Sequence, residues 1–300
     1  MYNCIVRCCV PIFVMISGSL FLDLSRPFTI SKLYKHNILR LSIAFLFWSL
    51  FYAGCYTYYF HFGHKYFWET FIVGYAHLWF IPMLIGLYMV APFLRLIMAS
   101  SVLTRYFLTL GFIFAFLVPE LLRLISSAVV CKAYSNMNFY FTLGYVSYFV
   151  AGAYLAQLQL SKNTRWTLGI VGIEALTVCA FLTAENSCRG SVCSTFYSSL
   201  HPLIFMGSIA LFVFGKNVFA SIGAALQEKR RNAVIKLSSY SFGVYLIHPL
   251  VINIFHRAVG LSATSYPAIW WVPVFTFMIF VASAGVAAVI AKVPYVRNVI

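Results

Sequence analysis

The chain has 300 residues, of which 62% are apolar and only 9% are charged. Because a soluble protein carries about a quarter charged residues, this composition excludes a water-soluble protein and predicts one membrane-embedded domain over residues 1–300. The net charge of +15 is spread over short connections, so nucleic acid is not expected as a partner.

Nine apolar runs follow one another along the chain, and each is long enough to form a transmembrane helix of about 20 residues. The runs are continuous rather than alternating, which excludes the strands of a membrane barrel. They comprise residues 4–22, 38–60, 78–98, 102–119, 139–159, 166–184, 196–215, 238–256 and 268–291. We therefore predict an all-α, polytopic bundle of about nine transmembrane helices in the lipid bilayer.

The positive charges of the connections predict how the helices are oriented. Alternate connections carry fifteen Lys and Arg residues in one set and six in the other. Since positively charged loops stay in the cytoplasm, we expect the richer set to be cytoplasmic, together with the C-terminus. The poorer set consists of Arg7, Lys65, Arg123, Lys132, Arg189 and Arg257.

Ionisable side chains inside a membrane are costly, so each is a candidate functional residue. Glu174 lies in the middle of a predicted helix, although a protonated glutamic acid that only hydrogen-bonds within the bundle is an equal alternative. His248 lies about 15 Å from the predicted inner end of its helix, and His77 begins another helix near the outer boundary. No Cys/His cluster has the spacing of a metal site, so no metal is predicted.

Two cysteines, Cys188 and Cys193, lie in the predicted outer loop ENSCRGSVCST. Disulfides form in oxidising compartments such as the bacterial periplasm. These two thiols are therefore a candidate disulfide, whereas cysteines within the apolar runs are expected to act as small apolar side chains.

Three sequence segments occur in a characteristic order. The first is RCCVPIFVMISGSLFL at residues 7–22, the second is HLWFIPMLIGLYMVAPFL at 77–94, and the third is SSYSFGVYLIHPLV at 238–251. Together they resemble the second helix, the H-L-W-F-L segment and the S-x-G-I-Y-L-x-H segment of the membrane-bound acyltransferase 3 family. This family includes many bacterial O-acetyltransferases that modify surface polysaccharides.

The resemblance implies an enzyme of the bacterial inner membrane that transfers an acyl group to a hydroxyl group. The expected donor is acetyl-CoA, and the expected acceptor is a cell-envelope polysaccharide or a lipid-linked sugar. The candidate catalytic residues are His77, His248 and Glu174. The candidate residues for binding the acceptor are Arg7 and Trp79. Cationic groups at the inner face suit the phosphates of acetyl-CoA, and these are Lys32, Lys35 and Arg40.

The chain departs from the family pattern in two places. The family usually has ten transmembrane helices, and segment 7–22 resembles the second, so the first is expected to be missing. In the family that first helix carries the leading candidate for the catalytic base, a histidine, and no position here matches it. We therefore expect little transferase activity from this polypeptide. The family's R-x-x-R pattern corresponds to Asn37 and Arg40, so only its second arginine is present.

A transporter or flippase for lipid-linked sugars or small polar solutes is the alternative function. It would account for the many helices, for Glu174 and for the buried histidines, but not for the three motifs in order. Transporters also tend to contain paired repeats with broken helices, and the sequence has no such repeat. A requirement for acetyl-CoA in membrane vesicles would separate the two hypotheses.

Overall fold

The computed structural model describes residues 4, 6–59, 64–125, 132, 134, 136, 139–187 and 196–293. Within these ranges the regular structure is helical and contains no strand, which confirms the predicted all-α bundle. The helices are α1 (Cys9–Phe21), α2 (Ile30–Tyr58), α3 (His64–Val73), α4 (Phe80–Met98), α5 (Ser101–Arg123), α6 (Phe139–Gln157), α7 (Lys162–Ser187), α8 (Pro202–Ala225), α9 (Glu228–Ser239), α10 (Ser241–Val259) and α11 (Ala268–Ile290).

Every predicted apolar run overlaps a helix, although several of the bounds differ by a few residues. Among the described residues, seven helices are long and apolar enough to cross a membrane, namely α2, α4, α5, α7, α8, α10 and α11. The chain is therefore a multi-pass membrane protein. The described part of α1 has 13 residues and α6 has 19, and membrane crossing by these two helices stays a prediction.

The chain divides into two compact units, and the first comprises residues 1–29 and 87–224. Its closest helix pair is α1 and α6. A Cβ atom added to Gly18 would clash with the backbone carbonyl of Phe149, and one added to Gly152 would clash with the backbone of Met15. Small residues at a helix crossing let two backbones approach closely, and the resulting van der Waals packing contributes to helix association in membranes.

Lys216 lies within α8, whereas the sequence prediction placed it in a connection after residue 215. Its ammonium group donates hydrogen bonds of 2.5–3.2 Å to the carbonyl oxygens of Leu155, Ala156 and Leu158. The last carbonyls of a helix have no hydrogen-bond donor within the helix. At the end of α6 the ammonium group of Lys216 supplies the donors. These contacts explain why a charged residue can continue α8 beyond the predicted boundary.

The second unit comprises residues 30–86 and 225–300. Aromatic and aliphatic side chains of α2, α4, α10 and α11 form its core, including Trp48, Tyr52, Ile81, Leu246 and Phe275. In the first turn of α11, the indole N–H of Trp271 donates to the carbonyl oxygen of Ser262 at 2.7 Å, which fixes the loop that precedes this helix. The candidate site described next lies within this unit.

Candidate active site

A glycine turn between α3 and α4 positions His77. Gly74 has a φ angle of +86°, a conformation that only glycine adopts without strain. A Cβ atom at this position would also press against the ring of Phe45, and the Gly74 amide donates to the carbonyl of Thr70 at 3.0 Å. The turn ends α3 and directs the chain through Tyr75 to His77.

The imidazole of His77 is enclosed by tyrosine rings. Its ring centroid lies 5.2 Å from that of Tyr52, 5.6 Å from that of Tyr75 and 5.4 Å from that of Tyr245. The hydroxyl group of Tyr245 also donates to the backbone carbonyl of His77. The position of His77 is therefore fixed through both its ring and its backbone.

The two ring nitrogens of His77 are buried, and neither has a described residue in good hydrogen-bond geometry, although the backbone of Leu246 lies near enough to act on the ring. Burial lowers the pKa of His77 to about 4, and the nearby His248 acts in the same direction, while the backbone of Leu246 opposes the shift in part. His77 is thus neutral at physiological pH. A neutral imidazole has one N–H donor and one acceptor nitrogen, so this side chain can bind a polar group that enters the site.

His248 lies on α10, where the next residue is a proline. Its Nδ1 is 2.7 Å from the carbonyl oxygen of Tyr245 and 3.3 Å from that of Val244. Because a carbonyl oxygen only accepts, Nδ1 carries the hydrogen and Nε2 carries the lone pair. Pro249 has no N–H group and cannot donate to the carbonyl four residues earlier, which is that of Tyr245. The proline therefore leaves this carbonyl available to the imidazole of His248.

The two histidines form a pair with different hydrogen-bonding states. Their ring centroids are 5.4 Å apart, and the rings meet edge to face. His248 presents an acceptor nitrogen whose tautomer is set by the backbone, whereas His77 presents nitrogens without a partner among the described residues. Such a pair can accept a proton at one ring and donate a hydrogen bond from the other.

A group of hydroxyl-bearing side chains continues from the histidine pair. Tyr56 and Tyr75 share a hydrogen bond of 2.7 Å between their hydroxyl groups. The amide of Asn253 donates to the hydroxyl of Tyr56 and, at 2.8 Å, to the carbonyl of Pro249. Tyr52 donates to the carbonyl of Leu246 at 2.6 Å. These bonds hold α2 against the proline-containing part of α10.

The basic residues Lys32, Lys35 and Arg40 lie on the first turns of α2, and all three are exposed. Tyr52 is on the same helix, about 18 Å beyond Arg40 at 1.5 Å per residue. The cations and the histidine pair therefore occupy different levels of one unit. Trp79 lies two residues after His77, and its side chain is 45% exposed.

The remaining predicted residues lie elsewhere. Arg7 and Glu174 belong to the first unit. The guanidinium group of Arg7 lies over the ring of Tyr197, 4.9 Å from its centroid, and Glu174 is exposed on α7. Cys188 and Cys193 fall outside the described residues, so the candidate disulfide stays a prediction.

The residues that position the histidines did not stand out in the sequence. Tyr245 contacts His77 through its hydroxyl and His248 through its carbonyl, and Pro249 makes the second contact possible. The dipeptide His248–Pro249 is the signal that could have identified this arrangement. Among the described residues, no group of three His, Cys, Asp or Glu side chains could hold a metal ion.

A family model described as an acyltransferase domain matches residues 2–288. The matched range includes the three sequence motifs and both histidines. Neither a curated protein nor a solved structure matches the chain.

Proposed function

Because the chain belongs to the acyltransferase 3 family and is therefore a membrane acyltransferase, we propose that it transfers an acetyl group from acetyl-CoA to a sugar hydroxyl. The acceptor in this proposal is a cell-envelope polysaccharide or a lipid-linked sugar. The protein would work in the bacterial inner membrane, with its C-terminus in the cytoplasm. The observation that carries the proposal is the pairing of His248 with His77.

His248 is the proposed base, in place of the first-helix histidine that no position of this chain matches. With this base the proposal is an active transferase, and it replaces the sequence-based expectation of little activity. The Nε2 of His248 would take the proton from the acceptor hydroxyl as the oxygen attacks the carbonyl carbon of the thioester. The carbonyl of Tyr245, 2.7 Å from Nδ1, would stabilise the imidazolium that forms. The same proton would then pass to the sulfur of the leaving CoA, so the products are an acetyl ester and free CoA thiol. A positioned acid–base group of this kind contributes about 10²- to 10⁴-fold to the rate.

His77 is the proposed donor to the oxyanion. The attack converts the thioester carbonyl into an alkoxide, and an N–H group already in place stabilises the developing charge. Burial holds the pKa of His77 at about 4, so the ring stays neutral and donates a hydrogen bond without acting as a strong acid. The two histidines therefore have separate roles.

The basic start of α2 is the proposed binding region for the donor. Acetyl-CoA is polyanionic, and guanidinium and ammonium groups bind phosphates. Lys32, Lys35 and Arg40 supply such groups on one helix, at a distance from Tyr52 that leaves room for the extended arm of CoA to reach the histidines. Arg7 and Glu174 have no step in this mechanism.

The proposal is tested with the purified chain in proteoliposomes that contain acetyl-CoA labelled in the acetyl group. Envelope polysaccharide and polyprenyl-phosphate-linked sugar are supplied as acceptors. We expect label in the glycan that mild alkali releases as acetate, because an O-acetyl ester is alkali-labile. Absence of label from both acceptors, or sugar movement across the membrane without acetylation, would contradict the proposal, and the second result would favour a transporter. His248→Gln is the matched inactive variant.

A further inference from the structure

A cavity of about 320 Å³ lies where α3 meets the turn that leads to His77. This volume is at the lower end of the range for small-molecule sites, about 300–1,000 Å³. It is lined by Tyr66, Glu69, Thr70 and Tyr75, together with residues 73, 74 and 76. We propose that this cavity is the subsite that binds a sugar ring of the acceptor. The inference rests on the proposed function and names the acceptor site.

The lining has the chemistry that a sugar ring requires. An ionised carboxylate offers two oxygens that accept hydrogen bonds, and the exposed Glu69 can therefore accept from two neighbouring hydroxyl groups. Tyr66 and Tyr75 each add an aromatic face and a hydroxyl group. Small-molecule sites combine apolar walls with a few polar groups that fix orientation, and this cavity has both.

Charge decides which of the two substrates the cavity can take. A carboxylate repels phosphate groups, so Glu69 disfavours the CoA donor and is compatible with neutral hydroxyls. The cations Lys32 and Lys35 lie at the beginning of α2, whereas Tyr56, near its end, packs 6.1 Å from the ring of Tyr66. At 1.5 Å per residue, Lys35 and Tyr56 are about 31 Å apart along the helix. The beginning of α2 is therefore suited to the CoA donor, and its end, beside the cavity, to the sugar acceptor.

Tyr75 connects the cavity to the histidine pair. Tyr75 lines the cavity, and its ring stacks on Tyr56, with centroids 4.7 Å apart, and on Tyr52, with centroids 4.9 Å apart. The same ring meets the edge of His77 at 5.6 Å. Tyr75 thus contacts both the cavity and His77, so a sugar bound in the cavity would lie one aromatic ring away from the histidine pair.

Binding is measured by saturation-transfer difference NMR on the full chain in nanodiscs. The probes are the methyl glycosides of glucose, galactose, rhamnose and N-acetylglucosamine at millimolar concentrations, with tetrahydropyran-2-methanol as a ring that has a single hydroxyl. We expect at least one glycoside to bind and the single-hydroxyl ring not to bind. Glu69→Gln is expected to weaken binding about tenfold, the effect of losing one hydrogen bond to a charged group.

Tyr66→Leu removes an aromatic ring from the cavity wall and, like Glu69→Gln, should weaken glycoside binding. Glu228→Gln removes a carboxylate from an exposed position on α9 of the same unit and should bind like the wild type. The acetylation assay adds a second readout, in which Glu69→Gln raises the KM for the acceptor and leaves the KM for acetyl-CoA unchanged.

The outcomes separate this inference from the proposed function. Acetylation with unchanged acceptor binding and KM in Glu69→Gln would overturn the acceptor subsite and leave the transferase intact. Failure of every glycoside to bind the wild type would also overturn the subsite. Binding that depends on Glu69 without any acetyl transfer from acetyl-CoA would support the sugar subsite and refute the acetyltransferase.

Discussion

The imidazole of His248 and the carbonyl of Tyr245 are joined by a hydrogen bond of 2.7 Å that exists because residue 249 is a proline. In an uninterrupted helix the amide at 249 would donate to this carbonyl. Here the side chain takes the place of the missing amide. The proline at residue 249 thus selects the tautomer of His248, the proposed base. This dependence can be tested by mutation.

Pro249→Ala restores the competing amide donor at this point of α10. The Tyr245 carbonyl is then shared, and His248 populates both tautomers. We expect kcat to fall about fivefold, since a single hydrogen bond contributes about 1 kcal/mol, while His248→Gln loses about 10²- to 10⁴-fold. Nitrogen-15 spectra of labelled histidine report the tautomer directly. An unchanged tautomer in Pro249→Ala would show that the proline only bends the helix.

His77→Ala removes the proposed oxyanion donor, and we expect kcat to fall about 10²- to 10³-fold with little change in the KM for acetyl-CoA. His77→Gln keeps an N–H group and should retain more activity than His77→Ala. Equal losses in the two variants would argue against a role as a donor.

His77 should also affect stability at acidic pH. Its folded pKa is about 4 and the unfolded value is about 6.5, so unfolding takes up a proton between these two values. Stability is therefore full above about pH 6.5 and falls toward pH 4, by at most about 1.4 kcal/mol per pH unit. The thermal midpoint in detergent should decrease less on acidification in His77→Gln than in the wild type. Parallel pH profiles would contradict this assignment.

The charge at the start of α2 should act on donor binding alone. A variant that combines Lys32→Gln, Lys35→Gln and Arg40→Gln is expected to raise the KM for acetyl-CoA about 10- to 100-fold, because each exposed ionic contact is worth up to about 1 kcal/mol. The kcat of this variant should change little, and its KM for acetyl-CoA should depend less on salt than that of the wild type. The control is Lys229→Gln with Arg230→Gln on α9, which removes two exposed cations from the same unit. A fall in kcat with unchanged KM would place these residues in another role.

Gly18→Ala tests the contact between α1 and α6. The added methyl group meets the backbone carbonyl of Phe149, which cannot move without displacing its helix, so we expect a loss of about 1–3 kcal/mol in stability. Gly169→Ala on α7 is the matched control, because nothing lies within 4 Å of a Cβ atom there. The two variants are compared by the folded fraction in size-exclusion chromatography and by thermal midpoint. Equal behaviour would mean that the helices separate at little cost.

The apolar runs predicted the helices because a continuous apolar stretch of about 20 residues is typical of a helix that crosses the bilayer and rare in soluble chains. Helix ends were less predictable, since they depend on tertiary contacts such as those of Lys216 with the last turn of α6. The charge of Lys216 predicted a connection, because its partner Ala156 lies 60 residues earlier in the chain and is not evident from the local sequence.

The residues of the candidate site were likewise predictable only in part. His248 stands out because histidine is costly in an apolar helix, and His77 because it directly precedes an apolar run; the fold brings both together. Tyr75, Tyr245 and Glu69 did not stand out, because the chain has 20 tyrosines and Glu69 follows a short polar connection. Their importance comes from which helix they face, and the sequence pattern does not contain that information.

Lys216 has a consequence for how the chain is made. During synthesis α6 emerges well before α8, so the ammonium group that finally closes α6 does not yet exist when this helix leaves the ribosome. Until then its terminal carbonyls must stay in contact with water, because an unpaired carbonyl in lipid costs several kcal/mol. The last turn of α6 can therefore settle only after α8 has arrived, which makes the order of membrane insertion a part of the folding of this unit.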